Sequence, residues 1–226
     1  MCGRYTLEMD RGRIAGLFGL DELDLELLPR YNIAPSQTVA VVGLKPKSTR
    51  RGLAMLNWGL VPRWSQDPND GPKPINARGE TLLEKPTFRE CFQQRRCLLP
   101  ATGFYEWKKV GRKKEAYLFR STSEYAFGGL WDVWRDGPRK LSTCCIITVA
   151  ANDLVKPLHD RMPLMLSPAD FEKWLNPDTP MDAVLNLLKP YPAELMTMTA
   201  VGPAVNSVVN ESVECLAPPD APATLC

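Results

Sequence analysis

The sequence predicts an α+β fold: a single β-dominated domain rather than a doubly wound sheet. Strand signals are short and scattered among short helical stretches. Strands and helices do not alternate regularly, and no Gly-x-Gly-x-x-Gly occurs. Proline is abundant, 21 residues against 15 glycines, which favours many turns and short elements over a helix bundle.

Residues 11–20 read as a short helix. Thr38–Leu44 and Gly52–Leu60 read as strands joined by the basic loop Lys45–Arg51. Thr87 is placed to cap a helix through Gln94, with Glu90 at the capping-box spacing. Cys97–Leu99 and Phe104–Lys108 are strand-like. The basic turn Val110–Lys114 and the return Ala116–Arg120 predict a hairpin. Tyr125–Val133 and Ser142–Val149 are two further strands. Asn152–Pro157 is a turn or short helix. Ser167 and Pro168 start a helix that ends near Leu175, with Asp170 at the capping-box spacing. Met181–Leu188 is another helix and Leu195–Thr199 a late strand. The Pro- and Ala-rich tail 216–226 is expected to fray.

A chain of 226 residues is one large domain or two small ones, and as one body it buries roughly 70% of its unfolded surface. At 44% hydrophobic and 24% charged residues, disorder is excluded. No apolar run approaches the ~18 residues of a membrane span. The opening MCGRYTLEMD is polar at once and is not a signal peptide. The net charge of +2 is unevenly spread. Residues 1–26 hold 3 basic and 6 acidic residues, 27–149 hold 21 and 10, and 150–226 hold 4 and 10. The basic middle suggests a polyanion partner, unless folding interleaves the segments and cancels the asymmetry. The seven cysteines include no Cys-x-x-Cys, and there is one histidine, so structural zinc is not expected. Reduced thiols and a cytoplasmic setting are expected. Cys144 and Cys145, in an apolar run, read as core.

Several residues could carry chemistry. Removal of Met1 would make Cys2 the N-terminus, with thiol and α-amine on adjacent carbons. Roughly a tenth of an α-amine is unprotonated at pH 7, against well under 0.1% for an ordinary lysine. Such an amine can form a Schiff base with an aldehyde, and the thiol can then close a thiazolidine. The same pair suits an N-terminal nucleophile hydrolase. His159 is the single histidine, able to switch a proton near neutrality or to sit idly in a charged loop. Glu106, flanked by Tyr105 and Trp107, suits a general acid or base; alternatively it points outward to Lys108 or Lys109. Asn76 and Arg78, on a Pro/Gly-bounded loop, suit phosphate or sugar oxygens, or serve as a turn Asn and a solvated Arg. Trp58 and Trp64 lie in a stretch free of acids, where Arg63-Trp64 could stack an unpaired base. Trp131 and Trp174 read as core.

Six short motifs occur in order: Met1-Cys2-Gly3-Arg4-Tyr5, Tyr31-Asn32-Ile33-Ala34-Pro35, Trp58-Gly59-Leu60-Val61-Pro62, Ile75–Glu80, Gly103–Trp107 and His159–Pro163. Together they resemble the SOS-response-associated peptidase (SRAP) family of abasic-site processing proteins, over residues 1 to about 210. The resemblance implies one SRAP-like domain, 1–215, with short helices around a curved antiparallel sheet, and a flexible tail, 216–226. It implies autocatalytic removal of Met1. Cys2 then forms a thiazolidine crosslink with the ring-opened aldehyde of an abasic site in single-stranded DNA. By position, Asn76 matches the residue that holds the Cys terminus and opened sugar, Glu106 the acid/base, and His159 the residue assisting ring opening. Arg4, Arg78 and Arg161 match DNA-backbone contacts, and Trp64 a base-stacking aromatic. The implied protein is a monomer, needing no cofactor or metal. Two other readings stay open: an N-terminal-cysteine amidohydrolase or peptidase on other substrates, and a non-catalytic single-strand binder.

Overall fold

The structure, a computed structural model, describes residues 2–21, 26–45 and 48–219. It opens with β1 (Tyr5–Leu7) and α1 (Arg11–Phe18). Asp10 caps α1 by accepting the Arg13 N–H at 2.8 Å, and Gly19 ends it in the left-handed region, φ 59°. β2 (Arg30–Ile33), β3 (Thr38–Leu44), β4 (Arg51–Trp58) and β5 (Asn76–Arg78) follow. Next come α2 (Pro86–Gln94), β6 (Arg96–Pro100), β7 (Gly103–Val110) and β8 (Lys113–Ser121). The two longest strands are β9 (Ala126–Asp136) and β10 (Arg139–Ala150). The chain continues through β11 (Arg161–Pro163), β12 (Met165–Leu166), α3 (Phe171–Leu175), α4 (Met181–Leu185) and β13 (Met196–Val201).

Several expectations need correction. Thr87 lies inside α2 rather than at its cap; Lys85 is the cap residue without a side-chain bond, and Pro86, with its fixed φ, starts the helix. Ser167 precedes a 3₁₀ turn, Pro168–Asp170, and its hydroxyl donates to the Asp170 carboxylate instead of capping a backbone N–H. Asn76–Arg78 is a strand, not a loop, and the helix expected over 181–188 stops at Leu185. Trp58 is buried and belongs to the core, while Trp131 is only partly buried. At the start of the expected tail, Leu216 closes a 3₁₀ turn and the Ala217 carbonyl accepts the Gly202 N–H at 2.8 Å; residues 220–226 lie outside the described residues.

Two sheets form. The first runs β13-β8-β7-β1-β2, antiparallel throughout. The second runs β11-β10-β4-β3-β6-β9-β12, and β9 also pairs with β10. That extra pairing closes β10, β4, β3, β6 and β9 into a ring. The ring is mixed: β4 runs parallel to β10 at Thr143 and Cys144, and β5 continues along the same edge at Ile146–Thr148. Gly129 on β9 lets strands approach: a Cβ there would lie 2.4 Å from Leu99 Cδ1 and 2.7 Å from the Cys145 carbonyl oxygen. Helices α2 and α3 cover β6, and the buried Arg96 ties them down. Its guanidinium donates to the carbonyls of Phe92, Gln93, Trp174 and Asn176, the otherwise unpaired C-terminal groups of both helices. Among the described residues, no helix is long and apolar enough to cross a membrane.

The basic middle of the sequence is partly spent inside the fold. Arg30 pairs with Glu211, Arg63 and Arg95 with Glu90 and Asp132, and Arg50 and Lys45 with Asp21.

Candidate active site around Cys2

The site forms where the N-terminal strand meets both sheets. β1 pairs with β7 at Tyr5 and Phe104, and the Tyr105 N–H donates to the Arg4 carbonyl at 3.0 Å. Continued by one step, this register sets Gly3 opposite Glu106. Cys2 thereby arrives beside the catalytic candidate on β7, and it is fully buried. From the other sheet, β5 lies along β10 with Asn76 opposite Ile146. The Asn76 amide Nδ2 donates to the Cys2 carbonyl at 2.8 Å. Its Oδ1 is buried without a hydrogen-bond partner among the described residues, so it can still accept a proton donor.

Glu106 is only 6% exposed, which rules out the outward pairing with Lys108 or Lys109. Burial raises its carboxyl above the ordinary range, and the nearby His159 opposes the shift. Burial also pushes the Cys2 thiol far up; the Glu106 charge adds to this, and a backbone hydrogen bond from Arg4 works against it. The cysteine is therefore held as the neutral thiol. His159 is partly exposed, and its Nδ1 accepts the Arg161 backbone N–H at 2.9 Å. The Asp160 carboxylate also lies 2.9 Å from Nδ1 but is itself 87% exposed. Cys2, Asn76, Glu106 and His159, spread over 158 positions, thus come together from four segments of chain. Together they offer a held N-terminal backbone, a thiol, a carboxyl of raised proton affinity and an imidazole.

The four DNA-backbone and stacking candidates are placed differently. Arg78 is exposed at the end of β5. Arg161 is only 13% exposed and forks onto Glu80, with 2.6 and 2.8 Å contacts. Arg4 turns inward: Nη1 donates to Asn32 Oδ1 at 2.6 Å and to the Val205 carbonyl at 2.8 Å, and the guanidinium lies 5.6 Å from the Trp107 ring centroid. Around it, residues 203–216 strap the back of this sheet. Glu211 accepts the Tyr31 and Asn32 backbone N–H groups, both at 2.8 Å, while Asn32 Nδ2 donates to the carbonyls of Ser207 and Asn210.

Trp64 is 61% exposed, an unusual setting for so large an apolar ring. Its loop is anchored at alternate residues. Thr143 Oγ1 accepts the Val61 N–H, Asp132 accepts the Arg63 N–H and Nε, and Trp134 Nε1 donates to the Ser65 carbonyl. Thr143 and Asp132 are cross-strand partners. Sequence reasoning missed both Asp132 and Glu80. Glu80 does stand in a quoted motif, but nothing in its spacing announces a partner 81 positions away. Among the described residues, no group of three or more His, Cys, Asp or Glu is gathered as if for a metal ion.

Comparison with known proteins agrees with the motif order. The family model for SOS response associated peptidase (SRAP) matches residues 1–208. The chain is 40% identical over 223 residues to abasic site processing protein YoqW of Bacillus subtilis, covering 96% of this chain and 99% of that protein. It is 29% identical over 227 residues to abasic site processing protein YedK of Escherichia coli, covering 96% and 100%. HMCES of Xenopus tropicalis, also an abasic site processing protein, is 30% identical, over 84% of this chain and 66% of its own. A crystal structure of a protein from Bacteroides thetaiotaomicron superposes with a TM-score of 0.84 at 26% identity, covering 96% of this chain and 99% of the other. With its fold, its motifs and 208 residues of family match in agreement, the chain belongs to the SOS response associated peptidase (SRAP) family.

Proposed function

We propose that this protein traps abasic sites in single-stranded DNA as a covalent thiazolidine on Cys2, after removing its own Met1, as part of the DNA damage response. The observation that carries the reading is the seat of Cys2: its carbonyl held by Asn76, with Glu106 and His159 beside it. The relatives' designation as abasic site processing proteins supports the same substrate. The protein is read as a monomer that acts in the cytoplasm on DNA, with Arg78 and Arg161 near phosphates and Trp64 under a flanking base.

The chemistry runs in balanced steps. Hydrolysis of the Met1–Cys2 peptide bond consumes one water and frees the α-amine. Opening of the abasic sugar exposes a C1′ aldehyde; this needs a proton delivered to the ring oxygen and one taken from the C1′ hydroxyl, work suited to His159 and Glu106. The amine nitrogen bonds to C1′ as one of its protons passes to the aldehyde oxygen, and the carbinolamine then loses that hydroxyl and the remaining N–H proton as water, leaving the neutral imine. Sγ then bonds to C1′ as its proton passes to nitrogen, and the ring closes. The amine acts first because burial holds the thiol neutral, whereas roughly a tenth of an α-amine is free base at pH 7. That same burial disfavours the thiolate attack a Cys amidohydrolase needs.

The test mixes the protein with a single-stranded oligonucleotide bearing one abasic site. A denaturing gel and intact mass are read on the same sample. A shifted band with Met1 absent is expected. Cys2→Ala is expected to keep DNA binding and lose the band entirely. A band that survives the substitution would overturn the mechanism. Processed protein that leaves the DNA unshifted would favour the amidohydrolase.

A further inference from the structure

We propose that Glu80 is a positioning residue that, through Arg161, fixes which ring nitrogen of His159 carries the proton. The inference rests on the capture reading for its consequence, but its geometry stands alone. Glu80 sits on the 3₁₀ turn Gly79–Thr81, directly after β5 and Asn76. Its two carboxylate oxygens take Nη1 and Nη2 of Arg161 at 2.6 and 2.8 Å, and Nη2 also donates to the Thr148 carbonyl at 2.6 Å. A guanidinium forked on one side and bonded on the other has no rotation left. The clamp reaches over β10, joining the strand that carries Asn76 to the strand that begins at Arg161.

Two neighbours of His159 Nδ1 ask for opposite tautomers. The Arg161 backbone N–H, 2.9 Å away, can only donate, so it requires Nδ1 bare and the ring proton on Nε2. The Asp160 carboxylate, also 2.9 Å away, favours a proton on Nδ1. Asp160 is exposed and free to adjust, whereas the Arg161 backbone is held by its pairing with Ala150 and by the Glu80 fork. The fork therefore decides the contest in favour of Nε2–H. Among the described residues, Glu106 from β7 also interacts electrostatically with the ring. With the proton on Nε2, the ring can deliver it to a sugar oxygen; with the other tautomer, that nitrogen could only accept. Glu80 also occupies the guanidinium edge that a phosphate would use, so releasing it should not weaken DNA binding. Binding and chemistry are expected to separate.

His159 is the single histidine of the chain, so protein labelled with ¹⁵N-histidine yields one imidazole pair in a nitrogen-detected NMR spectrum. The parent is expected to show one protonated Nε2 and a bare Nδ1. Glu80→Gln and Arg161→Lys, which remove the fork in different ways, should both drift toward a tautomer mixture, and Glu80→Asp should drift less. At saturating abasic-site oligonucleotide, the single-turnover crosslinking rate of Glu80→Gln should fall about tenfold, within the ~10²-fold that a 1 Å misplacement can cost. Its half-saturating DNA concentration should stay level or fall. An unchanged tautomer in both Glu80→Gln and Arg161→Lys would overturn the proposal, as would an unchanged saturating rate with a shifted half-saturation. Failure of the parent protein to crosslink would instead refute the capture reading, while the spectrum still decides the role of Glu80.

Discussion

Asp132→Ala should release the loop that presents Trp64. The carboxylate accepts from the Arg63 backbone N–H at 2.9 Å and Nε at 3.0 Å, and lies 3.3 Å from Arg95 Nε. Asp132 and Arg95 are both buried. Breaking a buried pair from one side costs about 3–5 kcal/mol, because the remaining charge is stranded. Two features lower that figure here. Glu90 still takes Arg95 Nη1 at 2.9 Å, and Arg63 is exposed enough for water to replace its lost partner. A loss of about 2–3 kcal/mol is expected, most of it from Arg95 and the orphaned Arg63 N–H. For a chain of this length, that lowers Tm by about 4–12 °C. Urea unfolding followed by far-UV circular dichroism measures it, with Asp136→Ala as control. Asp136 pairs with Arg139 at the exposed β9–β10 turn, where an ion pair contributes at most about 1 kcal/mol. A loss below about 1 kcal/mol for Asp132→Ala, or equal losses for the two variants, would refute the anchoring argument.

Two further outcomes follow from the core and the site. Glu106 is raised by burial, so the folded state binds more protons than the unfolded one; its stability contribution is full below the ordinary carboxyl range and is lost as pH rises through the raised folded value. Glu106→Gln should therefore match the parent in acid and exceed its stability at neutral pH, while crosslinking slows by about 10²–10⁴-fold; unfolding curves and single-turnover gels across pH check both, and a variant destabilised only at neutral pH would contradict the sign. Gly129→Ala drives a Cβ to within 2.7 Å of the Cys145 backbone carbonyl oxygen and should cost about 1–3 kcal/mol or more, whereas Gly43→Ala, with nothing within 4 Å, should be far milder; chemical denaturation compares them.

Elements with local signals were legible in the sequence. The β7–β8 hairpin follows from Gly111, whose positive φ suits a tight turn between two strand-like runs. α1, expected over 11–20, forms over Arg11–Phe18, stopping two residues short because Gly19 turns left-handed. Elements that exist only through distant partners were not legible. β5 is three residues long and owes its strand conformation to β10, about seventy positions later, so Asn76–Arg78 shows no period of its own. The capping pattern at Thr87 lost to Pro86, which moves the cap to Lys85 and starts the helix two residues earlier. Within the site, the chemical character of Cys2 and Glu106 was readable from their neighbours in sequence. Their meeting with Asn76 and His159 was implied only by the family resemblance. Arg4 illustrates the limit: its partners Asn32 and Val205 lie 28 and 201 positions away, so an arginine that reads as a surface cation is bonded inward.

The strap of residues 203–216 bears on how the protein is made. A ribosome delivers Cys2 first and His159 much later, roughly 8–30 s later at ordinary elongation rates. Glu211, which secures the backing of the N-terminal strand, is delivered later still. For the first two-thirds of the interval before His159, Cys2 has neither its carboxyl nor its imidazole; Glu106 is made next, and the imidazole comes last. Any cleavage of Met1 that depends on the imidazole must therefore wait until residue 159 is made, and a ribosome stalled before it leaves a chain that carries the cysteine without the means to use it.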